Sequence, residues 1–189
     1  MKVSITGNTG SLGKAISEDL SSKHSVVGYS KSVGWDFDED GVIDKMISEA
    51  SDSDVFINNT FHRQWEILPK IIDSFKTNAD KIIINIGSFH SYVQPDDDYG
   101  RIKNEMKDVC FSAQINPEVH CRVINISPSL VSDTNASVGK DLIAQISHED
   151  VCRVINFIID SPPHLVVNEI VFSHKELVRS FYASGSADK

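Results

Sequence analysis

Val3-Ser4-Ile5-Thr6-Gly7-Asn8-Thr9-Gly10-Ser11-Leu12-Gly13-Lys14 is the stretch from which the fold can be read. Residues 3–6 read as a short buried strand, and Gly7, Gly10 and Gly13 punctuate a turn. Behind them Leu12, Ala15, Ile16 and Leu20 recur at helical spacing. Strand, glycine-rich turn and helix, in that order, bring backbone N–H groups and the positive end of a helix dipole to one point. No side chain blocks the approach at the glycines, so the turn suits a diphosphate, and a dinucleotide is the expected ligand. The spacing Gly-x-x-Gly-x-x-Gly differs from the commoner Gly-x-Gly-x-x-Gly, so the turn alone leaves a helix-capping turn in another α/β protein as the alternative.

Outward from this turn, strands alternate with helical patterns. Residues 25–29 form a second strand, residues 33–37 a third, and a helix follows with Val42, Ile43, Met46 and Ile47 on one face, capped by Asp38 to Asp40. The apolar run 54–58 suits a parallel strand covered on both faces, and residues 64–75 form a helix despite Pro69. Residues 81–86 are the clearest strand; a polar loop, a helix over about 98–113 and a strand at 121–126 come next. A loop from Ser127 to Asn135, weakly helical sequence over 136–146, a well-patterned helix from His148 to the Ser161-Pro162-Pro163 stop and a strand at 165–172 complete the pattern. A short helix is expected after Ser173, with 183–189 as a flexible tail.

This alternation predicts an α/β fold: one domain over residues 1–182, a doubly wound parallel sheet (Rossmann fold) in three α/β/α layers. In such sheets ligands sit beyond the carboxyl ends of the strands, which places the residues after Ile5, Val27, Ile57, Ile86 and Ile126 around one cleft.

Composition narrows the function classes. The 189 residues, 40% hydrophobic and 24% charged, are those of an ordinary soluble domain. A net charge of -9 repels nucleic-acid backbones, and no cluster of Lys and Arg offsets it. The three cysteines, Cys110, Cys121 and Cys152, have neither Cys-x-x-Cys spacing nor a nearby His, so reduced buried thiols are expected, with no metal. No apolar run approaches the ~20 residues of a membrane span, and a cytoplasmic location is expected.

Tyr99 and Lys103 are four residues apart and share a helix face, on the helix that follows the strand ending beside Ser88. Reducing a carbonyl by hydride requires a proton on the developing alkoxide. A phenol with a pKa near ~10 is a poor acid at neutral pH unless a neighbouring cation favours its phenolate. Lys103 is placed to supply that cation and Ser88 to hold the substrate oxygen. The rival reading is a strand-end turn residue and a surface helix pair.

Together with Thr6, the three glycines, Asn58-Asn59, Pro128 and the downstream Thr134, this constellation resembles the short-chain dehydrogenase/reductase family. The resemblance covers almost the whole chain, since residues 148–152 and 166–172 also look like that family's last helix and strand. It implies catalysis by Ser88, Tyr99 and Lys103, with Lys103 also binding the nicotinamide ribose. The implied cofactor residues are Thr6, Gly7, Asn8, Thr9, Gly10, Ser11, Leu12, Gly13, Ser30, Lys31, Asp36, Phe37, Asn58, Asn59, Thr60, Tyr99, Lys103, Pro128, Val131 and Thr134. An NAD site wants an acid about 20 residues past the glycines, where this chain has Ser30 and Lys31, so NADP(H) is expected over NAD(H), with NAD(H) the alternative. Asp36 resembles the family's acid at the adenine edge; a helix-entry residue is the other reading.

Three departures stand out. Phe61 replaces the family's usual glycine after the paired asparagines, the helix 64–75 has no catalytic asparagine, Asn78 coming too late, and the loop after Pro128 is short. Phe61, His62 and His90 border the expected substrate space. The reading is an oxidoreductase acting on a small carbonyl or alcohol substrate, with a homodimer or homotetramer implied by resemblance. Its rivals are a weak or inactive dinucleotide sensor of the same fold, and a nucleotide-sugar epimerase or reductase, which wants a larger C-terminal substrate domain.

Overall fold

The computed structural model describes residues 1–129, 131–132 and 145–175. In chain order its elements are β1 (Lys2–Thr6), α1 (Ser11–Ser21), β2 (Ser25–Tyr29), α2 (Val42–Ala50), β3 (Val55–Asn58), α3 (Gln64–Phe75) and β4 (Ile82–Ile86). They continue with α4 (His90–Val93), α5 (Asp98–Ile115), β5 (Arg122–Pro128), β6 (Val131–Ser132), β7 (Ile146–Ser147), α6 (His148–Asp160) and β8 (Glu169–Phe172). Six strands pair in parallel in the order β2-β1-β3-β4-β5-β8, a Rossmann-like sheet, while β6 and β7 form a separate parallel pair.

Successive residues of a strand point to opposite faces, and the apolar runs of β3, β4 and β5 therefore feed two cores. Val55, Ile57, Ile84 and Ile126 pack with Ile16 and Leu20 of α1 and Ile155 of α6. On the other face Phe56, Ile83 and Val123 pack with Met46 of α2, Leu68 and Phe75 of α3 and Met106 of α5. Helices on both faces make the expected three layers.

Residues 33–37 do not form the expected strand. Lys31–Val33 is a 3-10 turn closed by Gly34 at φ +91°, a conformation that breaks an extended run. The aromatic residues serve the core instead: Trp35 meets the Tyr29 ring edge-on at 4.9 Å, and Phe37 is buried against the α2 and α3 side. β2 thus becomes a sheet edge. The cap of α2 is not an aspartate but Gly41 at φ +78°, because Asp38 is taken up by His62 and Arg63.

At the other end the closing strand starts at Glu169, after a turn in which the Leu165 N–H donates to the Pro162 carbonyl, not at residue 165. Ser127 and Pro128, expected in a loop, extend β5 by pairing with Val171 and Phe172. The polar loop after β4 holds the short helix α4, and Ile146, expected at the end of a weak helix, pairs in β7. Most of that weak helix, Thr134, and the tail 183–189 lie outside the described residues.

Candidate active site

Thr6 ends β1 wholly buried, and its Oγ1 accepts the N–H groups of Asn59 and Thr60 at 3.0 and 3.1 Å. The ends of β1 and β3 are thereby joined. Gly7 lies at φ +67°, and its N–H donates to the Tyr29 carbonyl at 2.8 Å. A Cβ at Gly13 would stand 2.1 Å from the Gly7 carbonyl oxygen, so only glycine lets α1 pack this tightly on the turn. Gly10 is the N-cap of α1, no side chain caps the helix, and Gly10 to Gly13 border the cleft. Such a glycine cradle at a helix N-terminus fits a diphosphate.

Beyond the turn, small polar side chains form a chain of their own. Ser30 Oγ donates to Asn8 Oδ1 at 2.9 Å, Thr9 Oγ1 to Ser30 Oγ at 3.1 Å and Ser32 Oγ to Thr9 Oγ1 at 2.8 Å. Asn8 lies over Gly28, where a Cβ would stand 2.1 Å from its Nδ2. Lys31 and Asp36, both expected at the cofactor, are ion-paired with each other at 2.6 Å. That hydrogen bond raises the lysine and lowers the aspartic acid. Phe37 is a core residue, and Asn58, wholly buried, donates to the Gln64 carbonyl and to Asn85 Oδ1.

Across the cleft, β4 delivers Gly87 and Ser88. The Ser88 hydroxyl accepts the His90 N–H at 3.2 Å, which ties it to α4. Asp97 caps α5 by accepting the Gly100 N–H at 2.6 Å, and its other oxygen meets His90 Nε2 at 2.6 Å. These two contacts hold the Asp97 carboxyl low and fix the first turn of α5, which carries Tyr99. The Tyr99 ring lies between Phe61 at 5.2 Å and His90 at 5.3 Å.

One turn further along α5, Lys103 is only 4% exposed, and burial lowers its ammonium from 10.5 to about 8. Its Nζ donates to the Ile86 carbonyl at 2.9 Å and to Gln64 Oε1 at 2.7 Å, and lies 5.7 Å from the centre of the Tyr99 ring. Gln64 is a site residue that sequence reasoning missed. The helix lacks the asparagine that the resemblance leads one to expect, and its first residue is the glutamine that grips Lys103. The Gln64 side chain is wholly buried on the inward face of α3 with Ile67, Leu68 and Ile71, a placement that follows from tertiary packing and not from local spacing.

A cleft of about 620 Å³ joins the two halves. Of the expected residues, Gly10, Ser11, Leu12, Gly13 and Asn59 line one side, and Ser88, Tyr99, Lys103, Pro128 and Val131 the other. Thr6, Gly7, Asn8, Thr9, Ser30, Lys31, Asp36, Phe37, Asn58 and Thr60 do not line it: they build the turn or lie to its side. Phe61 and His90 are in the wall, whereas His62 is paired with Asp38 at 2.9 Å. Among the described residues there is no cluster of metal-ligating side chains, and no helix is long and apolar enough to cross a membrane.

Neither a family model nor a curated protein sequence matches the chain. Solved structures do. Serine dehydrogenase from Escherichia coli superposes with a TM-score of 0.69 at 19% identity, over 92% of this chain and 97% of that one. The alcohol dehydrogenase from the archaeon Thermococcus sibiricus, complexed with 5-hydroxy-NADP, gives 0.72 at 15% identity, over 93% and 97%. The 3-ketoacyl-(acyl-carrier-protein) reductase from Brucella melitensis, complexed with NADH, gives 0.67 at 13% identity, over 90% and 95%. At such identities the likeness is one of fold, which this chain shares with these dehydrogenases and reductases over nine-tenths of its length.

Proposed function

We propose that this chain, having the short-chain dehydrogenase/reductase fold, is an NADP(H)-dependent oxidoreductase that interconverts a carbonyl and an alcohol on a small substrate. The observation that carries the reading is the single cleft that holds both the glycine turn and Ser88, Tyr99 and Lys103. When bound, the cofactor supplies the hydride. The turn from Gly10 to Gly13 would hold its diphosphate, with Gly7 shaping the turn and Asn59 supporting it through the Gly7 carbonyl at 3.3 Å.

Tyr99 then serves as the general acid for carbonyl reduction and as the base in reverse. Two of the three Lys103 N–H groups are committed to Ile86 and Gln64, which holds the ammonium 5.7 Å from the centre of the Tyr99 ring, a cation placed to favour charge developing on that side of the cleft. The third N–H is left for the ligand. Ser88 donates to the substrate oxygen while its own oxygen accepts from His90. Leu12, Phe61, Phe89, Val93 and Val131 give the cleft an apolar wall, which suits a substrate with a hydrophobic or aromatic body.

Preference for NADP(H) rests on the absence of an acid at residue 30 and on the hydroxyl and amide groups of Asn8, Thr9, Ser30 and Ser32. A 2′-phosphate would compete with Asp36 for Lys31, which keeps the preference modest. The sensor stays as a second reading because Phe61, where the family has a glycine, packs its ring 5.2 Å from that of Tyr99. Wild-type protein should consume NADPH with at least one member of a panel of aldehydes, ketones and quinones, and Tyr99→Phe should not. Undiminished turnover in that variant would refute the role of Tyr99.

A further inference from the structure

One row of polar residues runs across the sheet and meets the site at Gln64. Asn58, Asn85, Asn125 and Glu169 are register partners on β3, β4, β5 and β8, so their side chains leave the same face at the same height. Three buried asparagines in consecutive parallel strands are costly unless each amide is satisfied, and these satisfy one another. Asn85 Nδ2 donates to Asn125 Oδ1 at 2.9 Å, and Asn125 Nδ2 donates to Glu169 Oε1 at 2.9 Å. Ser127 Oγ donates to the same carboxylate oxygen at 3.1 Å. Gln64 joins the row at its other end, donating from Nε2 to Asn85 Oδ1 at 3.0 Å while its Oε1 accepts from Lys103.

The direction of this chain is fixed by chemistry at both ends. Lys103 can only donate, so Gln64 must face it with oxygen. Gln64 Nε2 faces three acceptors for its two N–H groups, Asn85 Oδ1 and the carbonyls of Asn58 and Ile86, all at 3.0 Å, so no oxygen could stand in its place. An ionised Glu169 can only accept, so Asn125 must face it with its NH₂ group and turn its oxygen to Asn85. Every amide dipole therefore points the same way, from the cation toward the carboxylate. Gly87 makes room for the row: a Cβ there would lie 2.8 and 2.9 Å from the Asn125 amide and 2.9 Å from Ser127 Oγ.

We propose that Gln64, Asn85, Asn125 and Glu169 form a polarised relay that gives the buried Lys103 a remote counter-charge, with Glu169 as its anchor. These are positioning residues: they act on the catalytic site through Lys103 and touch neither cofactor nor substrate. The inference rests on the functional reading above for its purpose, but not for its physics. The groups facing Lys103 are Gln64, the Ile86 carbonyl and the rings of Tyr99 and Phe61, with no carboxylate in contact among the described residues. Glu169 is faced by Asn125, Ser127, the Tyr92 phenol and, at longer range, the Cys110 thiol. Glu169 on β8 stands two strand spacings, on the order of 10 Å, from the β4 groups that Lys103 and Gln64 contact, and a carboxylate at that range shifts a buried ammonium by about half a pH unit or more when little water intervenes.

Carbon-13-labelled lysine, with the Lys103 signal assigned by its loss in Lys103→Arg, reports the Lys103 titration directly in the full chain. Glu169→Gln keeps an oxygen for Asn125 and Ser127 but removes the charge, and should lower the Lys103 midpoint by about half a unit or more. Glu169→Asp, which keeps the charge, should move it less than half as far. An unchanged midpoint in Glu169→Gln overturns the relay. So does failure of both Glu169→Gln and Glu169→Ala to fold while Glu169→Asp folds, since Glu169 is then a structural residue. The readout needs no turnover, so an inactive wild-type enzyme would count against the proposed function and leave the relay standing.

Discussion

Lys103 shows what a buried charge costs and when. Its ammonium is lowered from 10.5 to about 8 because the folded protein desolvates it, whereas the unfolded chain leaves it in water. Between those values the unfolded state binds more protons, so this group's contribution to stability rises with pH across that window. Comparison with Lys103→Met isolates it. The stability of wild type minus that of the variant, from urea unfolding, should increase by up to about 3 kcal/mol between about pH 8 and about pH 10.5. A difference that stays flat would mean that Lys103 is solvated. Gly13 is the second residue with a quantitative consequence: Gly13→Ala drives a methyl to 2.1 Å from the Gly7 carbonyl. It should cost about 2–3 kcal/mol and weaken dinucleotide binding, as followed by thermal unfolding and by NADPH titration.

Among the elements, those with strong local signals were readable. α3 runs over the residues its apolar periodicity marked, and α6 starts where Ser147 and Asp150 form a reciprocal capping box. Ser147→Ala should therefore lower stability by about 1 kcal/mol without altering cofactor affinity, with urea unfolding and fluorescence titration as the checks. The misread segments share a physical reason. Residues 33–37 have strand composition, but Gly34 turns the backbone and the aromatic rings gain more from the core than from pairing at a sheet edge. Asp38 looked like a cap until tertiary structure brought His62 and Arg63 to it. At the site, the positions of Ser88, Tyr99 and Lys103 could be anticipated because strand ends and helix phase are local. Gln64 could not, since its role depends on α3 meeting α5, a contact no spacing in the chain announces.

At the scale of the molecule, the sheet order brings the carboxyl ends of β1, β3, β4 and β5 together, and the cleft follows from that order. The same layering hides all three thiols, Cys110, Cys121 and Cys152, and burial pushes each of them up, the last two to about 11. Native protein should resist a thiol reagent such as DTNB at neutral pH, and all three should react after denaturation. Rapid labelling of the native state would mean that one of the two cores opens readily.

The central claim is that the glycine turn and the Tyr99 side of the cleft form one nicotinamide-dinucleotide site. Fluorescence titration of the wild-type chain with NADPH, and in parallel with NADH, tests it most directly. Saturable binding of both, tighter for NADPH and lost or strongly weakened in Gly13→Ala, is the predicted result; no saturable binding of either nucleotide to the folded wild-type chain would contradict it.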